Sequence, residues 1–308
     1  MKAVICTKYG APDVLEIAEA EKPAPKDDEL LIRIMASALN YGDTRVRKLE
    51  AKEPLRLVMR FVLGIRKPRN PILGAAFSGV VEQTGKNVTG FGIGDEVFGL
   101  TGFKMSTHAE YLTISEKKMV AKKPLNASFE EAAAILLGGH TSIYFLEKAG
   151  IKERKNPKVL IYGATGSVGT AAIQIAKYYG AEVGVVCSTA GQSIARELGA
   201  DRILFYDQGD FTEQAAQHEK YDIIFDAVGK TTRKKCASLL SDKSNYITVA
   251  EPNAAKERIE QLELLRTLFE VGKYKATIDK AFPMEEIIEA HRYVDTGRKK
   301  GNVVILLQ

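Results

Sequence analysis

The segment that most constrains the fold is a short apolar strand, KVLIY at 158–162, that leads directly into Gly163, Gly166 and Gly169 and then into the helix-forming sequence VGTAAIQIAKYYG. Glycines are required where the backbone turns sharply from strand to helix, where it approaches a pyrophosphate, and where the helix packs closely on the sheet. Ala164 stands where a strict GxGxxG pattern has its first glycine. The strand, turn and helix predict a dinucleotide-binding unit with the pyrophosphate at the helix N-terminus, and a structural turn without a ligand is the alternative.

The chain after Pro124 alternates between apolar strands and helices, which indicates βαβ units and a parallel sheet. The predicted strands are KVLIY, AEVGVVC, DRILFY, YDIIFDAV and NYITVA. Helices are expected, in chain order, from Ser128, after Thr141, after the glycine turn, near 193–198, over 211–218 and from Thr232. The tail from Ile278 adds a strand, a helix and a strand.

The part of the chain before Pro124 has a different pattern, in which short strand-like runs are separated by turns. The runs are VLEIAEA, ELLIRIMASAL, FSGVVEQTG, GDEVFGL and AEYLTI, and glycines and prolines lie between them. This pattern predicts a β-rich domain, and short strands joined by tight turns favour a compact barrel.

The stretch 49–73 interrupts the β-rich pattern. Leu55, Val58, Met59 and Val62 recur there at helical spacing among arginines, which predicts a short amphipathic helix. We expect this helix to pack on its own domain. A mobile flap or a basic helix lying on a membrane surface is the alternative.

The end of the second strand of the parallel sheet bears on the choice between NAD and NADP. An NAD site usually has an Asp or Glu there, about 20 residues after the glycine turn, to bind the ribose 2′-hydroxyl. No acid occurs from Val183 to Ala195, and the hydroxyls of Ser188, Thr189 and Ser193 can donate to a 2′-phosphate. No Lys or Arg lies in the same stretch. The sequence predicts NADPH in preference to NADH.

Composition limits the other function classes. The 44 Lys and Arg residues against 39 Asp and Glu give a net charge of +5 spread along the chain, which lends little support to nucleic-acid binding. Cys6, Cys187 and Cys236 lie too far apart in sequence for a disulfide framework or a metal knuckle. The N-terminus has no signal-peptide pattern, and no apolar run reaches the roughly 18 residues of a membrane span. We expect a cytoplasmic protein without membrane insertion.

Nearly the whole chain resembles the medium-chain dehydrogenase/reductase superfamily, in particular its zinc-free quinone oxidoreductase and enone reductase branch. The segments that carry the resemblance include ALNYGDTRVR, PILGAAFSGVVEQTGKNVTGFGIGDEVFG, LIYGATGSVGTAAIQIAKYYGAEV, FDAVG and GKYKATIDKAFPMEEIIEAHRYVDTGRKKGNVVI. The resemblance implies an α/β protein with a GroES-like β-barrel catalytic domain over 1–123 and 272–308. It implies a Rossmann cofactor domain, a doubly wound parallel sheet, over 124–271, with the active site in the cleft between the domains.

The positions that bind zinc in other members of this superfamily carry different residues here. Asn40 stands where a metal-binding cysteine is expected, Gly74-Ala75-Ala76 replaces a Gly-His-Glu motif, and the four-cysteine loop of the structural zinc is missing. A catalytic zinc needs three protein ligands of Cys, His or carboxylate type, so the resemblance implies that neither zinc site forms. Without a Lewis acid to polarise an alcohol oxygen, reduction of a quinone or an activated double bond is favoured over alcohol oxidation.

The resemblance also assigns a cofactor site. Its members are Asn40 near the nicotinamide, Thr141 near the nicotinamide and its ribose, Gly166, Ser167, Val168 and Gly169 on the pyrophosphate, Ser188 and Tyr206 with the neighbouring Thr189 at the adenosine phosphate, Val228 and Gly229 after the fourth strand, and Gly301 with Asn302 from the tail. Asn40 and Tyr41 are the candidate catalytic residues, because an amide or a phenol can stabilise negative charge on a substrate oxygen, and a ribose hydroxyl of the cofactor or a water molecule is the alternative donor. His140 is expected to be a helix histidine without chemistry, and an imidazole that faces the cleft is the alternative.

These features predict zinc-independent hydride transfer from NADPH to a small-molecule quinone or α,β-unsaturated carbonyl, in which the protein supplies orientation. Metal-free reduction of small aldehydes or ketones is the alternative activity. An NADPH-binding redox sensor or scaffold with little turnover is the alternative outside enzymes. The strand that often supports subunit pairing in the family is missing between Ala250 and Leu262, which leaves a homodimer as one option.

Overall fold

The structure is a computed structural model that describes residues 1–50, 55–216, 220–250 and 254–308. Its strands are β1 Lys2–Cys6, β2 Leu15–Glu19, β3 Glu29–Leu39, β4 Ala76–Thr84, β5 Glu96–Leu100, β6 Tyr111–Ser115, β7 Val120–Lys122, β8 Lys158–Tyr162, β9 Glu182–Cys187, β10 Arg202–Phe205, β11 Tyr221–Asp226, β12 Leu240–Thr248, β13 Ile278–Pro283 and β14 Asn302–Leu306. Its helices are α1 Tyr41–Lys48, α2 Leu55–Leu63, α3 Phe129–Lys148, α4 Ser167–Tyr178, α5 Gln192–Glu197, α6 Phe211–Ala216, α7 Ile259–Glu270 and α8 Ile287–Asp295.

The chain divides into two compact units. The first unit is Met1–Leu136 together with Ile278–Gln308, and the second is Leu137–Thr277. The sequence places the boundaries earlier, after residues 123 and 271. The first difference arises because the start of α3 contacts the barrel, where the hydroxyl of Ser78 donates to the carbonyl of Phe129 at 2.5 Å.

The first unit is built around β3. Its main sheet has the order β13-β14-β3-β4-β5-β7, with β6 also paired to β3, and β1 and β2 form a separate hairpin. Leu30, Ile32 and Ile34 of β3 alternate into the apolar core, and Leu31 on the opposite face of the strand is also buried. The register of β3 against β4 shifts at Leu31/Ile32 and again at Ile34/Ala36. Irregularities of this kind bend a strand, so they allow the sheet to curve into a barrel.

The C-terminal tail completes the first unit. β14 lies between β13 and β3, and Val303 pairs with Leu39 in antiparallel register. α8 packs against α1, where the fully buried Arg47 donates from Nη2 to Oδ2 of Asp295 at 2.5 Å and from Nη1 to the carbonyl of Gly10 at 2.7 Å. A buried guanidinium with a carboxylate and a carbonyl as acceptors satisfies the requirement that buried charge be paired.

The second unit contains a parallel sheet with the order β10-β9-β8-β11-β12. The chain leaves β8 outward on one side through β9 and β10 and returns to the other side through β11 and β12, which is the doubly wound arrangement. Ala171, Ala172 and Ile175 of α4 are buried, as the helical spacing predicts. The predicted α/β class with a barrel and a Rossmann-type sheet is confirmed.

Two predicted helices differ from the structure. α3 continues without a break past Thr141, so the prediction of two separate helical stretches is wrong. Gly138 and Gly139 suggest a break but instead allow close packing, since a Cβ at Gly138 would lie 2.3 Å from the carbonyl oxygen of Ser167. The helix predicted from Thr232 is also wrong, and only a 3-10 turn at 237–239 forms there. The run KTTRKK places several cations within two turns, which disfavours a helix.

Helix α2 forms where the sequence predicts an amphipathic helix, but four of its apolar side chains are exposed, whereas Met59 and Leu63 are half-buried. Val58 and Val62 are 54% and 64% exposed, and Leu57 and Phe61 are also exposed. The expectation that this face packs on its own domain is wrong for these residues, because helical spacing shows which side chains share a face and not what covers them. The side chain of Leu55 lies outside the described residues. Within the described ranges no helix, α2 included, is long and apolar enough to cross a membrane.

Candidate functional site

The glycine turn after β8 is tightly packed at two of its glycines, Gly163 and Gly169. Gly163 has a φ of +82°, and a Cβ there would lie 2.6 Å from Cγ1 of Val228. A Cβ at Gly169 would lie 2.2 Å from the carbonyl oxygen of Gly163 and 2.6 Å from backbone atoms of Ala164. Gly163 and Gly169 are therefore needed for the turn itself and for the approach of α4 to the sheet.

Gly166 lies on the open side of the same turn. A Cβ there would have the carbonyl oxygen of Gly163 as its nearest neighbour, at 3.9 Å, and the φ of −81° suits any residue. Gly166 is the N-cap of α4 and has no side chain to cap the first turn, which comprises Ser167, Val168 and Gly169. A helix N-terminus whose N-cap residue has no side chain leaves room for a phosphate group, so these residues fit the pyrophosphate of a dinucleotide.

Helix α3 packs directly against the start of α4. Gly138 approaches Ser167, and the hydroxyl of Ser142 donates to the carbonyl of Val168 at 2.9 Å. Thr141 is half-buried and lies next to Ser142 in this same turn of α3. The structure thus brings Thr141 close to the predicted pyrophosphate residues.

The loop after β11 is organised by one buried carboxylate, Asp226, which is 0% exposed. Its Oδ1 accepts the backbone N–H of Gly229 at 2.8 Å and of Val228 at 3.2 Å, and its Oδ2 accepts the N–H of Thr231 at 3.1 Å. These bonds hold Val228 against Gly163 and hold Gly229 at a φ of +70°. The sequence assigns Val228 and Gly229 to the cofactor site but not Asp226, although the FDAVG segment contains all three.

The ends of β9 and β10 meet at the predicted adenosine end of the site. Tyr206 donates its backbone N–H to the carbonyl of Cys187 at 3.1 Å, and its side chain is 51% exposed. Ser188 and Thr189 follow β9, and both carboxylate oxygens of Asp207 lie 3.0 Å from the N–H of Thr189. An acid therefore stands beside the stretch that the sequence describes as free of acids. A search limited to the residues after β9 misses it, because it belongs to the next strand.

Asn40 and Tyr41 lie in the first unit, where β3 passes into α1. Asn40 is 4% exposed, and its Nδ2 donates to the carbonyl of Ala38 at 3.1 Å. Tyr41 is 52% exposed, and its hydroxyl donates to Oε1 of Glu50 at 3.0 Å. Partial burial and the neighbouring Glu50 carboxylate raise the pKa of Tyr41, so its phenol stays protonated and remains a donor at neutral pH.

Asp43 fixes the turn that carries Asn40. Its Oδ2 accepts the backbone N–H of Asn40 at 2.7 Å, and its carboxyl also accepts a backbone hydrogen bond from Gly74. Burial raises the pKa of Asp43 to about 7. Asp43 thereby connects Asn40 with Gly74, the first residue of the Gly74-Ala75-Ala76 segment.

The predicted tail pair also lies in the first unit. Because Val303 pairs with Leu39, the antiparallel register directs Asn302 towards the Asn40 end of β3. Asn302 is 4% exposed, and Gly301 before it has a φ of +78°. The predicted site residues thus form two groups. Asn40, Tyr41, Gly301 and Asn302 belong to the first unit, whereas Thr141, Gly166, Ser167, Val168, Gly169, Ser188, Thr189, Tyr206, Val228 and Gly229 belong to the second.

The histidine next to Thr141 is held by a neighbouring helix. Nδ1 of His140 lies 2.7 Å from Oε1 of Gln261, and the imidazole is buried. Burial lowers the pKa of His140, so the ring is neutral at physiological pH. The Gln261 contact gives His140 a packing role on α7, and its lack of chemistry stays a prediction.

Two further buried histidines, His108 and His291, lie in the first unit with their ring centroids 6.0 Å apart. Nδ1 of His291 accepts from Nε of Arg47 at 3.3 Å, whereas neither ring nitrogen of His108 has a hydrogen-bond partner among the described residues. Burial lowers the pKa of His108 to about 4. Gly74 is close by, since a Cβ there would lie 2.5 Å from Cδ2 of His108.

The burial of His108 makes stability depend on pH. Between the unfolded pKa of about 6.5 and the folded pKa of about 4, only the unfolded chain binds a proton at His108, so its contribution to stability falls as pH decreases. Relative to a His108→Leu variant, the free energy of unfolding of the natural chain should fall by about 2–3 kcal/mol from pH 7 to pH 4. Urea titrations at several pH values measure this.

Asp43 supplies a control of opposite sign. Its folded pKa of about 7 lies above the unfolded value of 3.8, so it stabilises the fold most at low pH and loses this contribution as pH rises towards 7. The difference in the free energy of unfolding between the natural chain and Asp43→Asn should therefore change with pH in the direction opposite to that for His108→Leu. Parallel pH profiles for the natural chain and His108→Leu would contradict the assignment of a buried neutral imidazole.

No group of three or more His, Cys, Asp or Glu side chains suited to a metal ion occurs in residues 1–50, 55–216, 220–250 and 254–308. At the positions discussed above, Asn40 offers an amide, and Ala75 and Ala76 offer no ligand atoms in their side chains.

Comparison with known proteins places both units in one family. Residues 26–125 match the model of the alcohol dehydrogenase GroES-like domain, and residues 167–274 match that of the zinc-binding dehydrogenases, with a second zinc-binding dehydrogenase model matching 252–305. The chain is 34% identical to 2-methylene-furan-3-one reductase of Solanum lycopersicum, over 99% of this chain and 79% of that protein.

Two further comparisons extend over full lengths. Human quinone oxidoreductase is 29% identical over 100% of this chain and 98% of its own. A solved structure of an NAD-dependent alcohol dehydrogenase is 28% identical and superposes with a TM-score of 0.86 over the whole of both chains. This chain belongs to the medium-chain dehydrogenase/reductase superfamily, and it is an oxidoreductase.

Proposed function

We propose that this chain transfers hydride, without zinc, from a reduced nicotinamide dinucleotide to a quinone or an α,β-unsaturated carbonyl. The observation that carries the proposal is the glycine turn at the start of α4, where a Cβ on the N-cap residue Gly166 would lie 3.9 Å or more from every other described residue apart from its chain neighbours. The substrate class is supported by the names of two relatives, a 2-methylene-furan-3-one reductase and a quinone oxidoreductase.

The dinucleotide supplies the hydride, and this chain's residues bind and orient it. The amides at Ser167, Val168 and Gly169 would hold the pyrophosphate, Thr141 would lie near the nicotinamide ribose, and the Val228–Gly229 loop would border the cofactor. The NADPH preference predicted by the sequence depends on the groups around Ser188 and Thr189, where the carboxylate of Asp207 acts against it.

Zinc independence is supported by the residues at the ligand positions, since Asn40 and Gly74-Ala75-Ala76 provide no thiolate, imidazole or carboxylate. The matched family models are described as zinc-binding dehydrogenases, so the prediction needs a direct test. Dialysis against a chelator should leave cofactor oxidation with quinones and enones within about twofold of the untreated protein. A loss that added Zn²⁺ restores would show that the chain uses the metal.

A substrate panel separates the competing functions. Oxidation of NADPH and of NADH should be measured with a quinone, an enone, a small aldehyde and a small ketone side by side. We expect turnover with the quinone or the enone to exceed that with the simple carbonyls. Faster turnover of the aldehyde or ketone would favour metal-free carbonyl reduction, and cofactor binding without turnover of any substrate would favour a redox sensor or scaffold.

Asn40 and Tyr41 are the candidate donors to the substrate oxygen on which negative charge develops. Loss of one such donor costs about a hundredfold in kcat at well-organised sites, and the exposure of Tyr41 argues for a smaller effect here. We expect Tyr41→Phe and Asn40→Ala each to lower kcat by about tenfold or more with little change in cofactor affinity.

Thermal unfolding serves as the control for these two variants, because Asn40 also begins α1. Glu50→Gln keeps an acceptor for the Tyr41 hydroxyl but removes the negative charge. It therefore tests whether the charge beside the phenol affects kcat. Unchanged turnover in both Tyr41→Phe and Asn40→Ala would show that the active-site assignment is wrong.

A further inference from the structure

The residue that follows Tyr206, Asp207, directs its carboxylate at Thr189. Both carboxylate oxygens lie 3.0 Å from the Thr189 N–H, and Oδ1 lies 3.1 Å from the Thr189 hydroxyl. Gln208 donates from Nε2 to the same hydroxyl at 3.1 Å. The hydroxyl accepts from Gln208 and donates to Asp207, so both polar groups of Thr189 are satisfied by the chain itself.

The parallel sheet explains why these residues meet. Phe205 at the end of β10 pairs with Cys187 at the end of β9, and the backbone of Tyr206 continues the pairing to Cys187. Residues that follow neighbouring parallel strands emerge at the same edge of the sheet, which is the edge where a dinucleotide binds. Asp207 and Thr189 are therefore neighbours although 18 positions separate them.

The Thr189 hydroxyl and amide are donors of the kind that a 2′-phosphate requires. A carboxylate already occupies them, and it carries a negative charge of the same sign as the phosphate. None of the ion pairs among residues 1–50, 55–216, 220–250 and 254–308 includes Asp207, so no cation offsets its charge there. A 2′-phosphate brought to Thr189 would have to displace Asp207 and would be repelled by it.

We propose that Asp207 sets the cofactor selectivity of this chain: its carboxylate fills the donors that a 2′-phosphate would use, so NADH binds at least as well as NADPH. This rests on the proposed function only in requiring that a nicotinamide dinucleotide binds at the glycine turn. An acid from the third strand of the sheet, β10, then takes the place of the acid that is missing after the second strand, β9. The ribose 2′-hydroxyl of NADH can donate to Asp207, whereas a phosphate cannot.

The test is direct binding of NADPH and NADH to the full-length protein. The fluorescence of the reduced nicotinamide, which is excited at wavelengths where protein side chains do not absorb, follows binding, and calorimetry gives an independent value. Asp207→Asn keeps the shape of the side chain and removes its charge. Asp210→Asn is the control, because Asp210 is an exposed carboxylate close to Asp207 in sequence that bonds to Thr212 and Lys235 and not to Thr189.

We expect the natural chain to bind NADH as tightly as NADPH or more tightly. Asp207→Asn should tighten NADPH binding by about tenfold, the size expected for removing one exposed like charge near a phosphate, and should change NADH affinity by less than about threefold. Asp210→Asn should leave the ratio of the two affinities within about twofold of the natural value. Because these readouts are affinities, they are independent of the substrate.

Three outcomes would overturn the assignment of Asp207 alone. The first is much tighter binding of NADPH than of NADH by the natural chain. The second is an equal change in the affinities for both cofactors in Asp207→Asn. The third is a change in the affinity ratio in Asp210→Asn as large as that in Asp207→Asn. Absence of binding for both cofactors would instead overturn the proposed function and this inference with it.

Discussion

Replacing Gly166 by alanine should weaken binding of the reduced dinucleotide by about a hundredfold while leaving the melting temperature almost unchanged. The backbone of Gly166 is extended, with a φ of −81°, and among the described residues beyond its chain neighbours a Cβ would meet no atom closer than 3.9 Å. The added methyl group would therefore cost the folded chain little, but it would stand where the pyrophosphate must approach the first turn of α4. Calorimetric titration and a thermal melt measure the two effects.

Gly169→Ala is the contrasting variant. Its Cβ would lie 2.2 Å from the carbonyl oxygen of Gly163 and 2.6 Å from Ala164, and all of these are backbone atoms that cannot rotate away. We expect this variant to lose stability by several kcal/mol, as other overpacked sites do, and to lose cofactor binding as a consequence. Equal loss of melting temperature in both variants would contradict the assignment of Gly166 to the ligand. Undiminished binding in Gly166→Ala would show that the pyrophosphate lies elsewhere.

Replacing Asp226 by asparagine should lower the free energy of unfolding by about 3–5 kcal/mol. The NH₂ group of the new side chain would face buried N–H and O–H donors that now bond to the carboxylate. The carboxylate accepts four backbone N–H groups, of Val228, Gly229, Lys230 and Thr231, and two hydroxyls, of Tyr246 and Thr248. An amide side chain offers one acceptor oxygen, and its NH₂ group would point at N–H groups on one side. Urea denaturation measures the loss.

Tyr246→Phe is the graded control for Asp226. It removes one donor, at 3.3 Å, and leaves the carboxylate and its other partners in place, so we expect a cost of about 1 kcal/mol or less. Asp226→Asn should also weaken cofactor binding, because the loop that holds Val228 against Gly163 loses its anchor. Similar stabilities for Asp226→Asn and Tyr246→Phe would show that the loop is held mainly by packing.

The glycine turn made the Rossmann unit predictable, because local geometry there depends on only a few residues. Only four residues connect the strand ending at Tyr162 to the helix beginning at Ser167, so few backbone conformations can join them. Glycines at positions 163 and 169 allow such a conformation. The barrel was predictable from short strand-like runs that are separated by turns. Helix α3 shows the limit of local rules, since the packing partners of Gly138 and Gly139 lie far away in sequence.

The role of Asp207 could not be found by reading along one strand. Counting residues after the glycine turn locates the end of β9, but the carboxylate that contacts Thr189 comes from the end of β10. Only the pairing of the two strands brings them together. The exposed face of α2 is a similar case. The spacing of Val58 and Val62 predicts that they lie on the same side of a helix, but it does not show which residues, if any, pack against that side.

The position of β14 between β13 and β3 has a consequence for synthesis on the ribosome. The second unit is a continuous stretch, Leu137–Thr277, so it can fold as soon as that stretch has emerged. The barrel starts first but must wait for residues 302–306 to pair with β3. Until then the edge of β3 around Ala36–Leu39 is unpaired on that side and open to mispairing with other chains, so the first unit to be made is the last to be finished.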